Sequence, residues 1–233
     1  MGMKYSKILT VHMIRAVLFD LDGVLADSEA YYLAGTLAWM RGLGWQGEEK
    51  DLYGIIGAPM DEIYDILYHA FGKKIPRAEL VKRNEKWSAD HPADFGKLMF
   101  DGVPQVLAEL RQAGIRTALC SAGDREYVHD ALEQAGIREC FDVILCGSGF
   151  PAKPQPDIYL AAAEMLGIGK EECAVYEDSR RGIAAGKRAG MHVIARREER
   201  FGTQQEEADL IVNDIYEMKQ TVFGGILCRK SSE

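Results

Sequence analysis

Ala16-Val17-Leu18-Phe19 is an apolar run with no polar member, and it ends at Asp20 and, one residue further, Asp22. It is too short for a helix and lacks the alternation of a half-exposed strand. A strand apolar on both faces must be covered on both, as in a parallel sheet flanked by helices. Such sheets bind ligands outside the carboxyl ends of their strands. Asp20 and Asp22 therefore stand at the mouth of a sheet, where Gly23 lets the chain turn sharply beside a ligand.

The rest of the chain supplies the partners such a strand needs. Strands are predicted at 15–20, 115–120, 142–146, 173–176, 192–195 and 209–212. Helices are predicted at 103–113, 125–135, 157–166, 179–189 and after Asp214, most of them closed by a glycine. Strands alternating with helices imply βαβ units, and right-handed crossovers wind them into a doubly wound, Rossmann-like α/β core. Residues 29–95 break the pattern: helical stretches at 29–45, 48–56, 61–71 and 77–89 follow one another without a strand. The expected organisation is a core of 1–28 plus 96–233 with an all-helical insertion at 29–95. No repeat or low-complexity segment is present, and the tail at 224–233 is expected to fray.

Composition narrows the function classes. Apolar residues make up 47% of the chain, enough for a sizeable core. Lys and Arg (28) against Asp and Glu (36) give a net charge of −8, which argues against a nucleic-acid or anionic-membrane partner. Five cysteines, with no C-x-x-C pair, suit neither a disulfide framework nor a zinc site, and a reducing cytoplasm fits them better. The first fifteen residues hold few apolar positions between charges, so no secretory or membrane-spanning segment is expected.

Polar residues recur where the apolar runs end. Ser121 follows RTALC, Lys153 follows VILC through a glycine- and proline-punctuated loop, and Glu177-Asp178 follow CAVY. Singly, each has an ordinary explanation: a helix cap, a solvated lysine, acids facing a helix dipole. In a parallel sheet, however, all these ends share one edge with Asp20 and Asp22. Four carboxylates against one lysine leave a strongly negative pocket. Like charges about 4 Å apart repel by about 4 kcal/mol at an effective dielectric of 20. Such a cluster holds protons or binds a cation, and oxygen-only ligands favour Mg²⁺, which pairs one or two carboxylates with a substrate phosphate. Ser121, Lys153 and the amides that follow Ser121, beginning with Ala122, would supply the other anion contacts. The charge balance points to a metal-assisted reaction on a phosphate.

The four motifs FDLDGVLADS, LCSAGD, AKPQPDIY and YEDSRRGIAAGKRAGM, in this order, resemble those of the haloacid dehalogenase superfamily. The match is to its phosphatase/β-phosphoglucomutase-like branch with a helical cap, and it covers about 15–215. The resemblance implies a Mg²⁺-dependent phosphatase of a small phosphate monoester such as a sugar phosphate, acting as a monomer or weak homo-oligomer. It implies Asp20 as the nucleophile that becomes an aspartyl phosphate, and Asp22 as the acid and then the base. It implies Ser121, Ala122 and Lys153 as phosphate contacts, with Lys153 also steadying Asp20. Asp178 matches a Mg²⁺ ligand beside the Asp20 carboxylate and the Asp22 carbonyl, and Glu177 an acid that supports or shares the metal. The dehalogenase branch lacks the second acid that Asp22 provides.

The alternative within the family is a sugar phosphomutase. Those enzymes carry a cap histidine where Tyr32 stands and a phosphate-binding arginine where Met60 stands, so hydrolysis is favoured. Lys73, Lys74 or Arg77 could substitute for that arginine, although a solvated basic loop is the simpler reading. A non-catalytic metabolite-binding module is a third reading, whose signature, a missing catalytic residue, is absent. Residues 28–32 and 92–99 are expected to form the hinge and 54–60 a loop toward the substrate. Tyr32, Trp39, Tyr53 and Met60 are candidates for leaving-group contacts, although the helical spacing of Tyr32 and Trp39 also fits packing inside the insertion.

Overall fold

The computed structural model describes residues 9–229. Its centre is β2 (Ala16–Phe19), fully buried along its length, as a strand with no polar face requires. It pairs in parallel with β3 (Arg116–Ser121) on one side and β5 (Cys173–Glu177) on the other. With β4 (Val143–Cys146), β6 (His192–Arg196) and β7 (Leu210–Val212), these form a six-stranded parallel sheet in the order β4-β3-β2-β5-β6-β7. The chain order reverses at β2, the switch point where doubly wound sheets open a crevice.

Both faces of the sheet are covered. Val17 and Phe19 join Leu107, Leu110, Leu132 and Met218, which come from α5 (Val103–Gln112), α6 (Arg125–Gln134) and α9 (Ile215–Gly224). Ala16 and Leu18 face α7 (Asp157–Leu166) and α8 (Arg180–Ala189) through Tyr159, Ala162, Ile183 and Ala185. Ser179 and Asp214 cap α8 and α9, their side chains accepting from the amides of Gly182 and Glu217.

The insertion is helical. It comprises α1 (Ser28–Gly42), a 3₁₀ segment (Glu49–Ile55), α2 (Met60–Ala70) and α3 (Arg77–Asp90). These elements bury a separate apolar cluster built on Leu33, Leu37, Trp39, Met40, Leu52, Leu67 and Leu80. The two chain crossings run side by side: Asp27 N donates to Leu98 O (2.8 Å), Phe100 N to Leu25 O (2.9 Å), and Ala26 pairs with Met99. A short α4 (Phe95–Leu98), not anticipated from sequence, occupies the second crossing.

One expectation is overturned. The segment read as a fraying tail includes β8 (Ile226–Arg229), which pairs antiparallel with β1 (Leu9–His12). Gly225, at φ +73°, turns the chain out of α9 straight into that strand. The remainder of the expected tail, 230–233, lies outside the described residues, as does most of the amino-terminal segment read as untargeted. No helix among the described residues is long and apolar enough to cross a membrane. Cys120, Cys140, Cys146 and Cys173 are free thiols.

Candidate active site

Sheet register decides which side chains meet. Asp20 follows Phe19 on β2, and Glu177 follows Phe19's neighbour Tyr176 on β5, so the two acids leave the sheet side by side. Lys153 reaches them from the loop after β4: its Nζ lies 2.6 Å from Asp20 Oδ1 and 2.7 Å from Glu177 Oε1. All three side chains are about nine-tenths buried or more. Asp178 joins them, with carboxylate oxygens of Asp20, Glu177 and Asp178 all within 4.8 Å of one another. Ser121 ends β3 on the other flank of β2, fully buried, its Oγ accepting from Gly123 N (3.0 Å), and Ala122 follows at the surface.

The acids have different partners. Glu177 is saturated: Oε1 accepts from Lys153 and Tyr159, and Oε2 from the amides of Asp178 and Ser179 and from the Ser179 hydroxyl. Burial pushes Glu177 up, but Lys153 and these donors outweigh it and hold the carboxyl below its usual range. Asp20 goes well up, since burial and the charges of Glu177 and Asp22 outweigh Lys153. Asp178 is also pushed well up, by burial and by Glu177, Asp20 and Glu29. No hydrogen bond among the described residues reaches its carboxylate, while Gln205 Nε2 holds its main-chain carbonyl at 2.7 Å. Asp22 is raised by burial, partly offset by hydroxyl donors from Ser28 (2.5 Å) and Tyr127 onto Oδ1. Tyr127 itself is driven far above the ordinary phenol range by burial and by Asp22, so it stays a donor.

These residues suit a hard divalent cation. The donors are all oxygens, and among the described residues the buried Asp178 carboxylate has no donor of its own and Lys153 is the one cation in direct contact with the acids. The backbone at Gly23 passes so close that a Cβ there would lie 2.1 Å from Asp178 Oδ2. Only glycine leaves that carboxylate room beside the Asp22 turn.

The insertion covers this edge of the sheet. Gly57 N, in the loop before α2, donates to Glu29 Oε1 (3.0 Å), and Arg181 of α8 pairs with Glu62 of α2 at 2.6 Å. Tyr32 is 39% exposed, with its ring 6.3 Å from that of Tyr127, and Met60 is 56% exposed. Trp39 is buried in the helical cluster, which removes it from the leaving-group candidates, and Tyr53 packs on Phe201 at 5.6 Å. Arg77 is tied to Asp61 and Asp65. Ser28, Tyr127 and Tyr159 are the site neighbours that sequence reasoning missed. Ser28 was visible as part of the first motif and of the expected hinge and Tyr159 as the end of the third motif, neither with a role at the site, while Tyr127 carried no signal beyond helical position.

Comparison with known proteins agrees with this geometry. The family model for haloacid dehalogenase-like hydrolases matches residues 17–196, and the chain belongs to that family. A phosphorylated carbohydrates phosphatase from Thermotoga maritima is 30% identical over 184 residues, covering 78% of this chain and 84% of that protein. A haloacid dehalogenase family hydrolase from Deinococcus radiodurans, solved with bound phosphate and sodium, has a TM-score of 0.72 at 28% identity, covering 89% of this chain and 94% of that one. A β-phosphoglucomutase from Clostridium difficile shares the fold, with a TM-score of 0.69 at 24% identity and 89% and 98% coverage.

Proposed function

We propose that this hydrolase is a Mg²⁺-dependent phosphatase that removes phosphate from a small monoester, a sugar phosphate being the favoured class. The observation that carries the reading is the buried chain Asp20–Lys153–Glu177 with Asp178 beside it, at the carboxyl edge of the sheet. The Asp20 and Asp178 carboxylates and the Asp22 carbonyl would hold Mg²⁺, which when bound neutralises charge on the transferring phosphoryl group. Glu177, with both oxygens already occupied, orients Lys153 and the Asp178 backbone, which favours the supporting role over a shared ligand.

The chain's own residues do the rest. Lys153, the Ser121 hydroxyl and the Ala122 amide grip the phosphate, and Asp20 attacks phosphorus in line with the leaving oxygen. As that P–O bond breaks, Asp22 gives its proton to the leaving alcohol. Water then attacks the aspartyl phosphate, Asp22 takes its proton, and inorganic phosphate leaves with Asp20 regenerated. The burial that raises Asp22 helps it hold that first proton. Residues 29–95 act as the cap on a core of 1–28 and 96–233, and cap closure excludes bulk water.

Hydrolysis is preferred to mutase chemistry because Met60 stands where those enzymes carry the arginine, and Arg77 is engaged by Asp61 and Asp65. A reducing cytoplasm, a small-molecule partner and a monomer or weak homo-oligomer complete the reading. Phosphate release is to be measured with Mg²⁺ against sugar phosphates, nucleotides and phospho-acids. Release is expected from at least one sugar phosphate and should vanish in Asp20→Asn. Activity retained in that variant removes Asp20 as nucleophile, and isomerisation that depends on a bisphosphate establishes the mutase.

A further inference from the structure

Tyr127 stands in the first turn of α6, far in sequence from the first motif, yet its hydroxyl meets Asp22 Oδ1. Three features hold it there. Asp124, the α6 cap, accepts from the Tyr127 amide (2.9 Å). Phe95 packs edge-on against the ring at 5.4 Å. A Cβ on Gly123 would lie 2.6 Å from Tyr127 Cδ1, so a side chain there would displace the ring. Ser28 Oγ donates to the same Asp22 oxygen. Oδ2 takes no hydrogen bond from the described residues, and it is not a sealed atom, since Tyr176 holds the only sealed side-chain oxygen or nitrogen without a partner among them. One oxygen of Asp22 is thus anchored twice and the other is open.

We propose that Tyr127 is a positioning residue that, with Ser28, pins Asp22 by Oδ1 so that Oδ2 alone exchanges the proton in both half-reactions. The inference rests on the phosphatase reading. In the first half-reaction the Oδ2–H bond breaks as the leaving oxygen gains that proton and loses phosphorus to Asp20. In the second, water loses a proton to Oδ2 as its oxygen bonds to phosphorus and the Asp20–phosphorus bond breaks. Tyr127 keeps its proton throughout. It cannot touch phosphate through Asp22, so its effect must scale with how much the leaving group needs protonation.

The test compares the full-length protein with Tyr127→Phe, which keeps the ring and its packing on Phe95. With Mg²⁺ present, kcat/KM is measured for an alkyl sugar phosphate, whose alkoxide leaves poorly, and for p-nitrophenyl phosphate, whose phenolate leaves well. Expected is a loss of roughly tenfold or more for the alkyl ester and under about threefold for the aryl ester, because general-acid help matters only to the first. In an Asp22→Asn background the Tyr127→Phe change should have no further effect on either ester. Thermal unfolding of each variant separates this from loss of fold. Equal losses for both esters, or an undiminished effect in the Asp22→Asn background, overturn the positioning role while leaving the phosphatase reading intact. A parent protein that releases phosphate from neither ester nor any compound of the panel overturns both.

Discussion

Replacing Lys153 with methionine keeps the length of the side chain and deletes its charge. The ammonium is 2.6 Å from Asp20 and 2.7 Å from Glu177, and the three side chains are 8%, 10% and 0% exposed. Two ion pairs at that range are each about 6 kcal/mol of Coulomb attraction at an effective dielectric of 20. The carboxylates escape part of that loss by taking up protons, so the net cost follows buried pairs that lose one partner, about 3–5 kcal/mol at pH 7. Without the lysine, the folded-state pKa values of both acids lie above their unfolded values. The deficit is therefore full at high pH and fades as pH falls toward the unfolded carboxylate range near 4. Urea unfolding of parent and Lys153→Met in chelator, at pH 8, 7 and 5, reads this directly, and millimolar Mg²⁺ should restore part of the stability. A deficit under about 1 kcal/mol at pH 7, unchanged at pH 5, refutes the claim that this lysine neutralises a buried acidic site.

Three further outcomes are expected. Glu29 is pushed up to about 7, by burial first and then by Asp22, so its ionised form destabilises the fold above pH 7 and this penalty disappears as pH falls to about 4.5. Glu29→Gln keeps an acceptor for Gly57 N, and should stabilise the metal-free protein by about 1–3 kcal/mol at pH 8 and by almost nothing at pH 4.5 in urea titrations. Tyr176→Phe removes a sealed hydroxyl that has no partner among the described residues, and should raise stability by up to about 1 kcal/mol in calorimetry, whereas a loss would mean the hydroxyl is satisfied in solution. Ser179 both caps α8 through Gly182 N and donates to Glu177, so Ser179→Ala should lower stability by about 1–2 kcal/mol and weaken Mg²⁺ binding measured by calorimetry.

The central sheet was legible because burial on both faces leaves a sequence no alternative to continuous apolar runs, and the runs of β2, β3, β4 and β5 lead into polar residues. Asp20, Lys153 and Glu177 were readable for that reason, since strand register alone brings Asp20 beside Glu177. The β1–β8 pair was not, because a short ribbon made from the two ends of a chain leaves no periodic pattern. Helical spacing could not say whether Trp39 packs inside the insertion or faces a ligand. The grip of Tyr127 on Asp22 was invisible too, since it depends on the space left by Gly123 and on packing by Phe95, neither of which spacing encodes.

The paired crossings at Ala26–Asp27 and Leu98–Met99 bear on how such a chain can change over evolutionary time. The insertion leaves and returns through one ribbon, so it is a loop whose ends already meet. Closing a loop costs only with the logarithm of its length, about 0.6 kcal/mol per doubling. Once the ribbon has formed, the sheet is nearly indifferent to how many residues hang from it. Ala16 stays in register with Arg116 whatever lies between. Lineages can lengthen, trim or exchange that loop while the sheet beneath it stays fixed.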